Sequence, residues 1–158
     1  GESWHLDAII DDIGAHVDEI HSGMNVVLKL PMVKIHDKRY SLGLDEAEKA
    51  EFLAEMRQML TSIQQIMTGI ATKDKDMIIK AARYSGNKMA RATPQSVKDK
   101  TPVSFEQIGG PTHMMFEELI INVEEMDLND QDDITDLAEF TGKLMRNCLA
   151  CHAAFKVE

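Results

Sequence analysis

The chain has 158 residues, two cysteines, 11 methionines, and 17 Lys+Arg against 27 Asp+Glu, giving a formal net charge of −10. That length suits one domain of about 100–200 residues, and the acidity argues against nucleic-acid partners, which require a surplus of Lys and Arg. Cysteines three positions apart close no useful disulfide loop, and no apolar run approaches the ~18–20 residues of a membrane-spanning helix.

Residues 5–21 read as a helix with Leu6, Ile9, Ile10, Ile13, Val17 and Ile20 on one face. Residues 26–35 are apolar but interrupted by Lys29, Pro31 and Lys34, which suits an extended strap or a small hairpin edge. Together residues 1–44 are expected to form an N-terminal extension. A long amphipathic helix follows over residues 45–71. Asp45 and Glu48 form a capping-box signature, and Phe52, Met56, Met59, Ile63, Ile66, Met67 and Ile70 recur with helical period.

A second helix is expected over residues 74–92, with Met77, Ile78, Ala81, Ala82 and Met89 inward, ended by Pro94. Residues 93–111 hold three prolines and Gly109-Gly110 and read as a long connection, with room for one turn between Ser104 and Gln107. A third helix is expected to open at Pro111, where the missing N–H has no intrahelical role, carrying Met114, Met115, Leu119, Ile120, Val123 and Met126. Asp127-Leu128-Asn129-Asp130 breaks it. The fourth helix runs from about Asp132, with a buried stripe of Ile134, Leu137, Ala138, Thr141, Leu144, Met145, Cys148, Cys151, His152 and Phe155. Strand-like alternation is absent after residue 44. The fold class is therefore all-α, an antiparallel four-helix bundle over residues 45–158 behind an N-terminal extension of helix plus strap.

Cys148-Leu149-Ala150-Cys151-His152 has the spacing of a c-type haem attachment motif. Thiols at i and i+3 on one helical face can each add to a vinyl group of one porphyrin. The histidine at i+4 shares that face and can offer the iron an imidazole nitrogen. The motif uses both cysteines of the chain. Rival readings fit less well: a redox Cys pair opens a helix after a strand, and a structural zinc site needs four ligands.

A four-helix bundle with this motif at its C-terminal end resembles the class II c-type cytochromes, the cytochrome c′ family and its low-spin relatives. The resemblance covers residues 46–158. It rests on residues 148–155, the methionine-rich first helix with Arg57, Lys73-Asp74 at its end, and Ala81-Ala82 in the second. It implies one covalent haem c, with Cys148 and Cys151 as thioether anchors and His152 as the proximal iron ligand. Lys156 stands where the family carries an arginine near the haem propionates, keeping the charge but losing the bidentate fork. Residues 1–44 have no counterpart in the family layout.

In this family the first bundle helix covers the distal face of the haem. Met56, Met59 and Leu60 occupy that stretch, and counting back from Lys73-Asp74 puts the ligating position at Met59, with Met56 the runner-up. Methionine ligation implies a six-coordinate, low-spin electron carrier, since a thioether stabilises ferrous iron. A non-ligating residue there implies instead a five-coordinate protein that binds NO or CO. His113 is a further ligand position, better read as a cap or a solvent-facing histidine. Asp12 and His16 share a face and read as a solvated acidic surface, whereas His21, five positions from His16, does not share it.

No nucleophile triad or paired-carboxylate arrangement suggests an enzyme. The expectation is an electron-transfer cytochrome of the periplasm, because covalent haem is assembled outside the bacterial cytoplasm; beginning at Gly1, the chain reads as processed. An acidic surface near the haem edge would suit a redox partner with a basic docking surface. The resemblance also allows a homodimer through the first two bundle helices, and a role as an electron-entry module with residues 1–44 as the docking element.

Overall fold

The computed structural model describes residues 37–158. The helix and strap expected over residues 5–35 lie outside them. Within the described part, Arg39–Glu158 forms one compact unit that is mostly helical. It comprises β1 (Tyr40–Ser41), α1 (Glu46–Thr72), α2 (Lys75–Ser85), α3 (Asn87–Ala92), α4 (Gln95–Lys98), α5 (Val103–Glu125), α6 (Gln131–Ala154) and β2 (Phe155–Lys156). Among the described residues no helix is long and apolar enough to cross a membrane.

Local chemistry sets the starts of three helices and the end of α1. Asp45 accepts from the amides of Ala47 and Glu48 while Glu48 accepts from the Asp45 amide, a complete capping box at α1. Lys73 ends α1 in the left-handed region (φ 58°), and Asp74 caps α2 through the Met77 amide at 2.9 Å. Asp130 caps α6 through the amides of Asp132 and Asp133. The turn between α1 and α2 is tight because position 69 is glycine. A Cβ there would lie 2.5 Å from Ile78 Cγ1.

The helices differ from expectation in three places. The segment 74–92 is two helices, because Gly86 adopts an extended conformation and breaks the run. Partners on α5 stabilise the break: the Asn87 amide donates to Glu117 Oε1 at 2.7 Å, and His113 Nδ1 donates to the Ser85 carbonyl at 2.7 Å. A Cβ on Gly86 would collide with the Glu117 side chain.

Second, α5 begins at Val103, so Gly109, Gly110 and Pro111 lie inside a helix. The Phe105 ring in its first turn packs against Phe52 at 5.9 Å and Phe155 at 5.3 Å between centroids. That burial outweighs the one backbone bond that Pro111 forgoes on an exposed face. Third, Phe155 and Lys156 leave the helix and pair in parallel with Tyr40 and Ser41.

The main core gathers Ile63, Ile66 and Ile70 of α1, Ile78, Ala81 and Ala82 of α2, Phe116, Leu119, Ile120 and Val123 of α5, and Leu137 and Leu144 of α6. Phe116, the largest fully buried side chain, falls outside the predicted stripe. Met67, Met114, Ala138, Met145 and His152 were expected inward and are exposed. A smaller cluster joins Leu42, Leu44, Val97 and Phe155, with Phe52, Phe105, Ile108, Cys151 and Val157 against it. Residues 39–44 thus pack with the helices, ahead of the expected boundary at 44/45.

Candidate functional site

The cysteine–histidine motif occupies the last two turns of α6. Cys148 lies on the helix line that contains Leu137, Thr141 and Leu144, all three fully or almost fully buried. Cys148 itself is only half-buried, and its thiol points back toward the Leu144 carbonyl at 3.9 Å. Cys151 is also half-buried, packed against the smaller cluster, and His152 is exposed. The core-facing line of α6 therefore loses its cover where the motif begins.

Both cysteines are free thiols. Burial pushes the Cys148 thiol above its ordinary pKa, and burial together with neighbouring Cys148 does the same for Cys151. Both are therefore neutral thiols near pH 7. Among the described residues no three His, Cys, Asp or Glu side chains are gathered to hold a metal ion. The motif residues do not make a metal cage on their own.

The surroundings of the motif are apolar and uncovered. On α6, Asn147 faces α5 and donates to Met115 Sδ at 3.4 Å. Met145 (44% exposed), Leu149 (71% exposed) and His152 lie on the opposite flank. On α1, Ser62 and Gly69 face α2, through the Ser85 hydroxyl and Ile78 respectively. Met56, Leu60 (70% exposed) and Met67 (47% exposed) lie on the flank turned away from α2. The two flanks belong to α1 and α6, which meet more sparsely than α1 with α2, α2 with α5 or α5 with α6.

The two methionines proposed for the distal side differ in setting. Met59 packs against the main core. Met56 is half-buried one turn nearer Phe52, which shares its cluster with Cys151. Among the other sequence candidates, Lys156 lies in β2, ion-paired with Glu158. His113 holds the α2–α3 break through the Ser85 carbonyl and is thus a cap. His16, His21 and Asp12 lie outside the described residues.

Sequence reasoning missed one neighbour of the motif. Arg39 Nη1 donates to the His152 carbonyl at 3.2 Å from 113 positions away. No local signal announces such a contact; only the β1–β2 pairing brings it there. Two cavities of about 520 and 540 Å³ open along α2 instead, both lined by Lys80 and Tyr84, and neither is lined by residues 148–152. Comparison with protein-family models, with curated proteins and with solved structures gives no match to this chain.

Proposed function

We propose that this protein is a monohaem c-type cytochrome that carries electrons in the periplasm, folded as an antiparallel four-helix bundle of α1, α2 with α3, α5 and α6. The observation that carries the reading is the Cys148-x-x-Cys151-His152 motif on a helix face that opens, at the motif, into an uncovered apolar seam. Lys73 at the end of α1 donates to Asn129 at the start of α6, while Phe52 near the start of α1 shares a cluster with Cys151 near the end of α6. Lys75 at the start of α2 likewise donates to the Glu124 carbonyl at the end of α5. These contacts support neighbouring helices that run in opposite directions.

The residues present fit the group. Two neutral thiols and an imidazole share one face, and the exposed Leu60, Met145 and Leu149 offer the apolar walls that a flat porphyrin would cover. Burying such side chains stabilises by about 25 cal/mol per Å² of apolar surface removed from water. A bound haem supplies a one-electron iron(III)/iron(II) couple. Cys148 and Cys151 would hold it by thioether bonds, His152 would be the proximal ligand and Met59 the distal one with Met56 as runner-up, and Lys156 would serve the propionates. The family layout favours Met59, whereas Met56 lies one turn nearer Phe52, which shares a cluster with Cys151. No acid–base or nucleophilic group is assigned, and the role is not enzymatic. The physiological partner is a redox protein with a basic docking surface, and a homodimer through α1 and α2 belongs to the same reading.

The test is expression in a host that exports the chain and attaches haem. The wild type should carry haem that survives acid extraction, and the double variant Cys148→Ala/Cys151→Ala should carry none. A wild type without covalent haem overturns the proposal. Met59→Leu should abolish the methionine–iron charge-transfer band; loss with Met56→Leu instead reassigns the ligand.

A second reading, a five-coordinate haem that binds NO or CO, draws on the packing of Met59 against the main core. Tight CO binding by the ferrous wild type would favour it, and a spectrum unmoved by CO would remove it.

A further inference from the structure

The last turn of α6 is an unusual place for a ligand that must stay fixed. Helix ends leave their final carbonyls without intrahelical partners, and they fray unless something caps them. The C-cap, Phe155, is in an extended conformation, and its amide returns to the Cys151 carbonyl. Neither glycine nor a left-handed residue closes the helix here. The His152 carbonyl is the next to need a donor, and it receives the Arg39 guanidinium at 3.2 Å.

Arg39 reaches that point because the chain beside it is anchored. Tyr40 and Ser41 pair in parallel with Phe155 and Lys156, and the Leu42 amide donates to the Lys156 carbonyl at 3.0 Å. The Tyr40 ring meets the Phe155 ring edge-on at 6.2 Å. Leu42 and Leu44 are buried with Phe155. The segment 39–44 therefore forms a clamp across the C-terminal end of the motif helix.

We propose that Arg39 is a positioning residue for the iron ligand: held by the β1–β2 clamp, its guanidinium closes the last turn of α6 at His152 and biases the iron toward the ferrous state. This rests on the haem reading above. The bias follows from sign alone. Oxidation adds a positive charge at the iron, and a guanidinium one residue's backbone away from the ligand opposes it. A cation at a helix C-terminus also complements the helix dipole.

The experiment compares reduction potentials of haem-loaded wild type, Arg39→Gln and Arg39→Lys. Arg39→Gln should shift the ferrous/ferric equilibrium about threefold toward ferric, a potential about 28 mV lower at 59 mV per tenfold. Arg39→Lys should restore at least half of the shift, and both effects should shrink in 1 M salt. An Arg39→Gln potential unchanged or raised, with haem and helix content intact, overturns the proposal, as does an Arg39→Lys potential as low as that of Arg39→Gln.

Amide exchange on the haem-loaded wild type is the second measurement, should Arg39→Gln fail to fold. Strong protection of the Leu42 amide supports the clamp, and exchange at the rate of an open chain overturns it. A wild type without covalent haem would fail the parent reading and the inference together. Haem-loaded protein with an indifferent Arg39 fails the inference alone.

Discussion

The α1–α2 hairpin and the motif end of α6 are built from the same kind of amphipathic helix but finished in opposite ways. In the hairpin, Ser62 and Ser85 bury a hydroxyl pair at 2.8 Å, and Gly69 lets Ile78 approach the α1 backbone. At the motif end, the line that buries Leu137, Thr141 and Leu144 continues into a half-buried Cys148 and an exposed His152. The α6 face that is closed at Leu144 and open at Cys148 and His152 leaves room there for a packing partner. In the proposed reading that partner is a covalently attached group.

The comparison can be broken most sharply by truncating one side chain from each region. Phe116→Ala, in the closed core, should destabilise the protein by about 3–5 kcal/mol in denaturant unfolding, whether or not haem is attached. Leu60→Ala, on the open seam, should change the haem-free protein by less than about 0.5 kcal/mol, as exposed positions do. In the haem-loaded protein the same variant should lower the unfolding midpoint measurably. Equal effects with and without haem would detach Leu60 from the proposed site.

A smaller loss is expected from Gly69→Ala. The added methyl would meet Ile78 Cγ1 and the Asp74 carbonyl, so α1 and α2 must separate, at a cost of about 1–3 kcal/mol. Thermal unfolding would report it, and an unchanged midpoint would show that the hairpin is looser than its geometry.

The mildest test concerns the motif end of α1. Lys100 Nζ lies 2.5 Å from Glu48 Oε2, tying the chain before α5 to the cap of α1. The Lys100 ammonium, with the Asp45 amide, holds the Glu48 carboxyl down to about 2 from its ordinary 4.5. A depressed carboxyl stabilises the fold above its unfolded value and loses that contribution as pH falls. The loss should therefore run from about pH 4.5 down to about pH 2. Lys100→Ala should flatten that part of the stability profile and leave the profile above pH 5 unaltered. A profile with the wild-type slope would show that the pair does not hold Glu48.

Legibility followed the reach of each interaction. The α1 capping box and the 127–130 turn use side chains within three positions of their partners, so the sequence announces them. The start of α5 was misplaced because Gly109, Gly110 and Pro111 signal a break locally, whereas the Phe52–Phe105–Phe155 packing that overrides them joins three distant elements. The break at Gly86 was invisible for the same reason, being held by His113 and Glu117 of another helix.

The amino-acid sequence by itself determined the helical class, the caps and the Cys148–His152 motif, because helix period, capping and i, i+3, i+4 spacing are local properties of one chain segment. Only the tertiary structure decided which flank of α1 and α6 stays uncovered, and that Arg39 meets the His152 carbonyl. Those outcomes depend on which surfaces the other helices leave unburied and on a two-residue strand pair that joins the two ends of the compact unit, neither of which has a period to read.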